Sequence, residues 1–234
     1  MRLVPMNLMS TSWLGLLVVA GASCLVACGG DDPSPSKSNE WDGHTYSLSI
    51  GDRSWTEPRG VINDIKDYVP EFLFEVHGDS ATSFDVTTAT AHSDVQDPCT
   101  VTGSMPGSAS SIGPADFPLR IKHLREAIVV QAKLHDLSFE QVLPTAGVVS
   151  TTGKFSVTLD ARDVSPLFTQ IDSDPTADDL CNTLAQLSPP VDCQACPQDG
   201  ALYCLTLKAE KIGAIQSDDT TIEPITEPSD PSCN

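Results

Sequence analysis

From residue 41 onward, apolar side chains recur mostly at every second position, and each such run predicts a half-buried β-strand. Tyr46, Leu48 and Ile50 alternate over residues 45–50, and Gly51-Asp52 ends the run. Trp55 and Val61-Ile62 are isolated apolar points in a stretch marked by Pro58 and Gly60, which reads as loop. Residues 71–77 place Phe72, Phe74 and Val76 on one face, with Gly78-Asp79 as the stop. Residues 83–92 place Phe84, Val86, Thr88 and Thr90 on one face, so the two runs predict neighbouring antiparallel strands. Residues 93–115 carry Asp97-Pro98, Gly103, Pro106-Gly107 and Gly113-Pro114 among many serines, and predict a long turn-rich loop. Phe117, Leu119 and Ile121 alternate again, then Ile128, Val130, Ala132 and Leu134, and then Phe155, Val157 and Leu159 after a Thr151-Thr152-Gly153 turn. The last run is Tyr203, Leu205, Leu207 and Ala209, introduced by an Asp199-Gly200 turn.

The period changes only late in the chain. Residues 164–168 fit one helical turn. Asp174-Pro175 offers a capping side chain followed by a residue that needs no amide hydrogen. Ala177, Leu180, Cys181, Leu184 and Leu187 then fall at helical spacing until Pro189-Pro190. The pattern therefore predicts about eight strands and one helix over residues 175–187. That is a mainly β fold, an antiparallel β-sandwich or barrel-like sheet rather than a doubly wound one, because strands and helices do not alternate. Residues 41–216 form a single β-rich domain in this reading, and residues 217–234 an acidic, Pro-containing tail.

The first forty residues follow a different logic. Residues 1–12 carry one basic side chain, Arg2, and residues 13–27 are apolar or small without a charge, the layout of a secretory signal. The run is shorter than the ~20 apolar residues a spanning helix needs, and Gly29-Gly30-Asp31-Asp32 follows it without a basic flank. Leu25-Val26-Ala27-Cys28 resembles the lipobox of bacterial lipoproteins. Cys24 fits less well, since Gly21 stands three residues before it. The resemblance covers residues 1–28 and implies cleavage before Cys28, a diacylglyceryl thioether on that thiol and an acylated amino group, palmitate-like chains that hold the protein to a membrane. With Gly29 rather than Asp after the lipidated residue, it favours the outer membrane of a bacterial cell envelope. Residues 28–40 then read as the lipidated Cys and a flexible tether: Asp31-Asp32-Pro33-Ser34-Pro35-Ser36 has nothing apolar to bury.

Composition narrows the partners. Thirteen basic and 32 acidic side chains give a formal charge of −19, one unit more negative once Arg2 leaves. Such a chain is repelled by phosphate, which excludes nucleic acid as a natural partner and electrostatic docking on anionic lipid as a mode of binding. Beyond Cys24 and Cys28 six cysteines remain: Cys99, Cys181, Cys193, Cys196, Cys204 and Cys233. An even number in an exported chain predicts three disulfides, with 15 connectivities that sequence leaves open. Pairing of Cys233 would pin the tail to the body.

Three motifs invite chemistry. Gly78-Asp79-Ser80 resembles the nucleophile block of GDSL-type hydrolases, but Ala81 replaces the family's Leu and no His follows His135 to serve as base. Cys193-Gln194-Ala195-Cys196 has redox or zinc spacing, with Cys181 and Cys204 as further zinc ligands, yet prolines flank it and disulfides suit an oxidising compartment better. Asp172, Asp174, Asp178 and Asp179 lack the Gly and the bidentate Glu of a calcium loop, since Ala177 and Thr183 stand there. The sequence thus implies no cofactor, no metal and no catalytic residue. It favours a membrane-anchored binding or structural envelope module over an enzyme, without deciding enzyme status, and an envelope protein or lipid as the candidate partner. The alternatives are a carrier of a lipid or other apolar ligand, and a hydrolase using Ser80.

Overall fold

The computed structural model describes residues 39–51, 54–59, 68–122, 128–169, 173–217, 220–228 and 233. Among them eleven strands form one antiparallel sheet: β1 (Thr45–Leu48), β2 (Trp55–Glu57), β3 (Glu71–Ser80), β4 (Ser83–His92), β5 (Val95–Gln96), β6 (Gly103–Ser108), β7 (Ser111–Lys122), β8 (Val129–Glu140), β9 (Gly153–Asp160), β10 (Cys204–Ile212) and β11 (Ile215–Gln216). The sheet runs β11-β1-β3-β4-β6-β7-β8-β9-β10-β2, with β5 on β4. Two short helices, α1 (Ala161–Val164) and α2 (Ala177–Ala185), lie between β9 and β10, with a 3-10 turn over Ser165–Leu167 after α1.

Alternation sends one face of every long strand to the same core. Phe72, Phe74 and Val76 of β3 join Phe84 and Val86 of β4, Phe117, Leu119 and Ile121 of β7, and Phe155, Val157 and Leu159 of β9. Phe72 pairs in the sheet with β1 and β4 residues, yet its ring lies 5.2 Å from Phe139 on β8 and 6.1 Å from Phe155 on β9. Phe74 stands 4.8 Å from Phe139, tilted at 72°. Strands far apart along the sheet therefore meet across its interior, so the sheet is curled into a half-barrel around an aromatic centre. Leu180 and Leu184 of α2, with Val164 and Leu167, pack onto the same cluster.

The expected loop over residues 93–115 is instead β5, β6 and the start of β7. Its glycines and serines mislead by composition, because packing selects small residues there. A methyl at Gly103 would stand 2.8 Å from the Phe117 ring, and one at Gly107 would overlap the Phe84 ring. Met105 and Ile112 supply the inward positions. Trp55, expected in a loop, forms β2 at the sheet's end, where its ring meets Phe155 edge-on at 5.7 Å. Val61-Ile62 lies outside the described residues. Strand β3 runs on through Gly78-Asp79 to Ser80, with a register shift between His77 and Ser80 absorbing the glycine at φ 133°. Helix α2 is two residues shorter at each end than the apolar spacing suggests. Its cap is Thr176 rather than Asp174: the Asp179 amide donates to the Thr176 hydroxyl, and the Asp179 carboxylate accepts from the Thr176 amide at 3.0 Å.

The tail lies along the outer face. Ile222 covers Leu73, Ala89 and Ala91, the apolar outward residues of β3 and β4. The Thr102 amide donates to the Ile225 carbonyl at 3.0 Å, Gln96 and Glu223 exchange two hydrogen bonds of 2.8 Å, and Cys233 is joined to Cys99.

The aromatic centre sets the largest single-site effect. Phe139→Ala is expected to cost about 3–5 kcal/mol in urea unfolding. Thr88 lies on the same face with a buried hydroxyl that has no partner among the described residues, so Thr88→Val is expected to stabilise by roughly 1 kcal/mol. A destabilised Thr88→Val variant would place a partner on that hydroxyl. Opening the Cys99–Cys233 link, which closes 134 residues, removes up to about 5 kcal/mol in the chain-entropy model. The Cys99→Ala/Cys233→Ala pair tests it by the shift of the unfolding midpoint.

Candidate functional site

The densest polar constellation stands where β9 passes into α1. Asp160 ends β9, is 4% exposed, and caps α1 by accepting from the Arg162 amide at 2.9 Å. The Arg162 guanidinium folds back on the same carboxylate, with Nε at 2.9 Å and an outer nitrogen at 2.6 Å, while its other nitrogen reaches Asp199 at 2.7 Å. Gln198 donates to Asp160 at 2.8 Å. Arg162 also lies 5.5 Å from the centre of the Tyr203 ring, and Tyr203 donates to Asp178 at 3.1 Å. Both carboxylates raise the Arg162 pKa above its ordinary value, Arg162 holds Asp199 below the usual carboxylate range, and the Asp178 carboxylate raises the Tyr203 hydroxyl.

Two disulfides staple this cluster. Cys181 of α2 is bonded to Cys193, and Cys196 to Cys204 of β10. With Cys99–Cys233, all six cysteines beyond residue 28 are paired. The sulfurs of Cys196 and Cys204 and a carboxylate oxygen of Asp160 lie within 4.8 Å of one another, a spacing that suits a metal. The chemistry does not: both sulfurs belong to one disulfide, so neither is a thiolate, and the carboxylate is already taken by Arg162 and Gln198. The Cys193-Gln194-Ala195-Cys196 motif is likewise split between two bridges, which removes the reduced pair that redox or zinc chemistry needs. The network is a structural clasp holding α1, α2 and the 193–203 loop to the sheet.

The other sequence candidates disperse. The Ser80 hydroxyl bonds to Thr82 at 2.8 Å at the end of an antiparallel strand, whereas the GDSL-type resemblance implies a parallel sheet. Among the described histidines, His44, His77 and His135 bond to Gln216, Thr87 and Asp116 rather than to Ser80. Of the aspartate cluster, Asp178 holds Tyr203 and Asp179 closes the capping box, where Thr176 lowers its pKa. Asp172 and Cys28 lie outside the described residues.

Sequence spacing gave no sign of one further group. The β7–β8 pairing shifts register between Ala115 and Phe117, opposite Leu137 and Leu134, and at this irregularity, with Asp136 at φ 53°, Asp116 of β7 reaches both the buried His135 ring at 3.3 Å and Lys133 at 2.6 Å. The cross-strand partners are 19 and 17 residues apart, so only the pairing of β7 with β8 reveals them. The dyad has a base and an orienting acid, but the described contacts give it no nucleophile.

The fold and its clasp define a class: a disulfide-stapled, mainly β domain built on one curled antiparallel sheet. The chain matches no protein-family model, no curated protein and no solved structure.

The Lys133 ammonium, by its hydrogen bond, holds the Asp116 carboxyl below its ordinary value of 3.8. Since folding lowers this pKa, the pairing stabilises fully above 3.8 and the contribution is lost as pH falls through the folded value. Lys133→Met is expected to move the Asp116 carboxyl resonance midpoint upward in an NMR titration, and to weaken the fold at neutral pH but not below the titration.

Proposed function

We propose that the protein is a lipid-anchored extracytoplasmic module of a bacterial envelope, favouring the outer membrane, and that it works by binding or by structural support rather than by catalysis. The observation that carries the reading is the cysteine pairing. The body's six cysteines are used in three disulfides, as an oxidising compartment favours. Cys28 is thereby left for the thioether that the Leu25-Val26-Ala27-Cys28 resemblance implies. No helix among the described residues is long and apolar enough to cross a membrane, so the attachment in this reading is the lipid. Several acyl chains on one residue give stable anchoring where one alone is marginal.

The non-catalytic part rests on the dispersal of the chemistry candidates. Ser80 faces Thr82, the vicinal cysteines are oxidised, and Asp160 is committed to a clasp. The carrier alternative is disfavoured by the centre of the curl, where Phe72, Phe74, Phe117, Phe139 and Phe155 occupy the space that an apolar ligand would need.

Intact mass spectrometry of protein taken from a native membrane fraction tests the reading. The expected product starts at Cys28, carries diacylglyceryl and N-acyl mass, and shows six alkylated thiols only after reduction. Cys28→Ser is expected to move the protein from the membrane fraction to the soluble one. Retention of that variant in the membrane, or an unlipidated wild-type product, would overturn the anchor.

A further inference from the structure

The two ends of the curled sheet differ in chemistry. At one end lie the 3-10 turn, α1, α2 and their clasp, which carry Asp163, Asp178, Asp179 and Asp199, and at the same end of the strands Asp94 and Asp97 flank β5. At the other end are the β3–β4 turn, the β6–β7 tip and the 141–152 loop that joins β8 to β9. These last three are bound together: the Ala109 amide donates to the Ala81 carbonyl at 2.9 Å and the Gln141 amide to the Ser110 carbonyl at 2.8 Å. Residues 142–153 contain no charged side chain, and neither do residues 99–115, in a chain that is 19% charged. Val148 is 70% exposed and Val149 42%, at the rim of an open cleft of about 430 Å³ that Ala109, Ser110 and Leu143 also line.

The first described residues, 39–42, also stand at this end. The Asn39 amide donates to the Asp79 carbonyl, Trp41 Nε1 donates to the Pro144 carbonyl at 2.6 Å, and the Ala146 amide donates to Glu40. Four carboxylates border these loops: Glu40 accepts from the Ala146 amide and Asp42 from the Gly78 amide at 2.7 Å, while Asp79 and Glu140 are exposed at the ends of β3 and β8.

We infer that this end is a bilayer-contacting surface, on which Val148 and Val149 rest in the interfacial region of the membrane that holds the Cys28 lipid. The inference rests on the anchor proposed above. From Cys28 to Glu40 the chain reaches at most ~40 Å, comparable to the length of the strands, so the end where residue 39 stands meets the surface with slack in the chain, whereas the opposite end would need it near full extension. Charge selects the same orientation. A surface bearing anionic headgroups repels the aspartate-rich end and leaves the uncharged loops free to approach. Two valines make a weak contact alone. It becomes significant because the tether keeps them at high local concentration beside the bilayer.

Val95, at the opposite end, is 69% exposed and provides a matched control. Val148→Cys and Val95→Cys, each carrying a polarity-sensitive fluorophore, are to be examined in full-length protein purified with its lipid and placed in phosphatidylcholine vesicles. The expected result is a blue-shifted emission and several-fold weaker quenching by aqueous iodide at position 148 than at position 95. Equal quenching at both positions, with intact mass showing the lipid on Cys28, would overturn the surface while leaving the anchor. Protein that carries no lipid and stays out of the vesicle fraction would overturn both.

Discussion

A single sheet with one apolar face has no second layer of comparable size to lie against, and the structure meets that constraint by curling. The two helices between β9 and β10 are too short to cover eleven strands, with α2 presenting Leu180 and Leu184 as its buried side chains. The apolar face must therefore cover itself. The phenylalanines do this because their rings are long enough to bridge the curl from β3 to β8 and β9. Around them the requirement inverts. Strand β6 approaches the Phe84 and Phe117 rings so closely that Gly103 and Gly107 are the residues that fit. Large rings on some strands and absent side chains on their neighbour are one solution to one packing problem.

The outer face is managed separately. It is polar along most of its length, but Leu73, Ala89 and Ala91 leave an apolar strip on β3 and β4. The tail covers that strip with Ile222 and is tied down by backbone bonds near Thr102 and by Cys233. The ends of the sheet are blunted too. Strand β2 is three residues long, and its Glu57 pairs with Lys208 at 2.8 Å, while β11 is two residues long. Short, charged ends offer little template for pairing with another chain.

Period-2 runs made the long strands legible, because burial on one face is what such alternation means: Phe72-Phe74-Val76 and Phe155-Val157-Leu159 all point inward as their spacing implies. Residues 103–108 were illegible for a physical reason. Turn propensity assigns Gly, Ser and Pro to loops through local backbone preference, whereas here small residues are selected by rings from neighbouring strands. Trp55 was hidden similarly, since a three-residue strand is too short to show alternation. The number of disulfides could be read, but their pairing depended on the path of the tail and on α2 packing beside the 193–204 loop. The Asp116–His135–Lys133 group was invisible because it depends on a register shift, and nothing in residue spacing encodes one.

The distribution of covalent links bears on the proposed binding role. Cys181–Cys193 and Cys196–Cys204 close loops of 12 and 8 residues at the aspartate-rich end. Loops that short remove less chain entropy than the 134-residue link at the tail, by the logarithmic dependence on length. Their stronger local effect is to fix the 193–203 loop, α1 and α2 as one piece, together with the Asp160–Arg162–Asp199 clasp. A surface fixed in advance loses little freedom when a partner docks, so more of the contact energy appears as affinity. In the proposed orientation the pre-organised end faces away from the bilayer, and the uncharged, less cross-linked loops face toward it. A tether in that orientation would separate two tasks: one end of the sheet would hold position at the membrane, and the rigid acidic end would be left accessible to partners in the compartment beyond it.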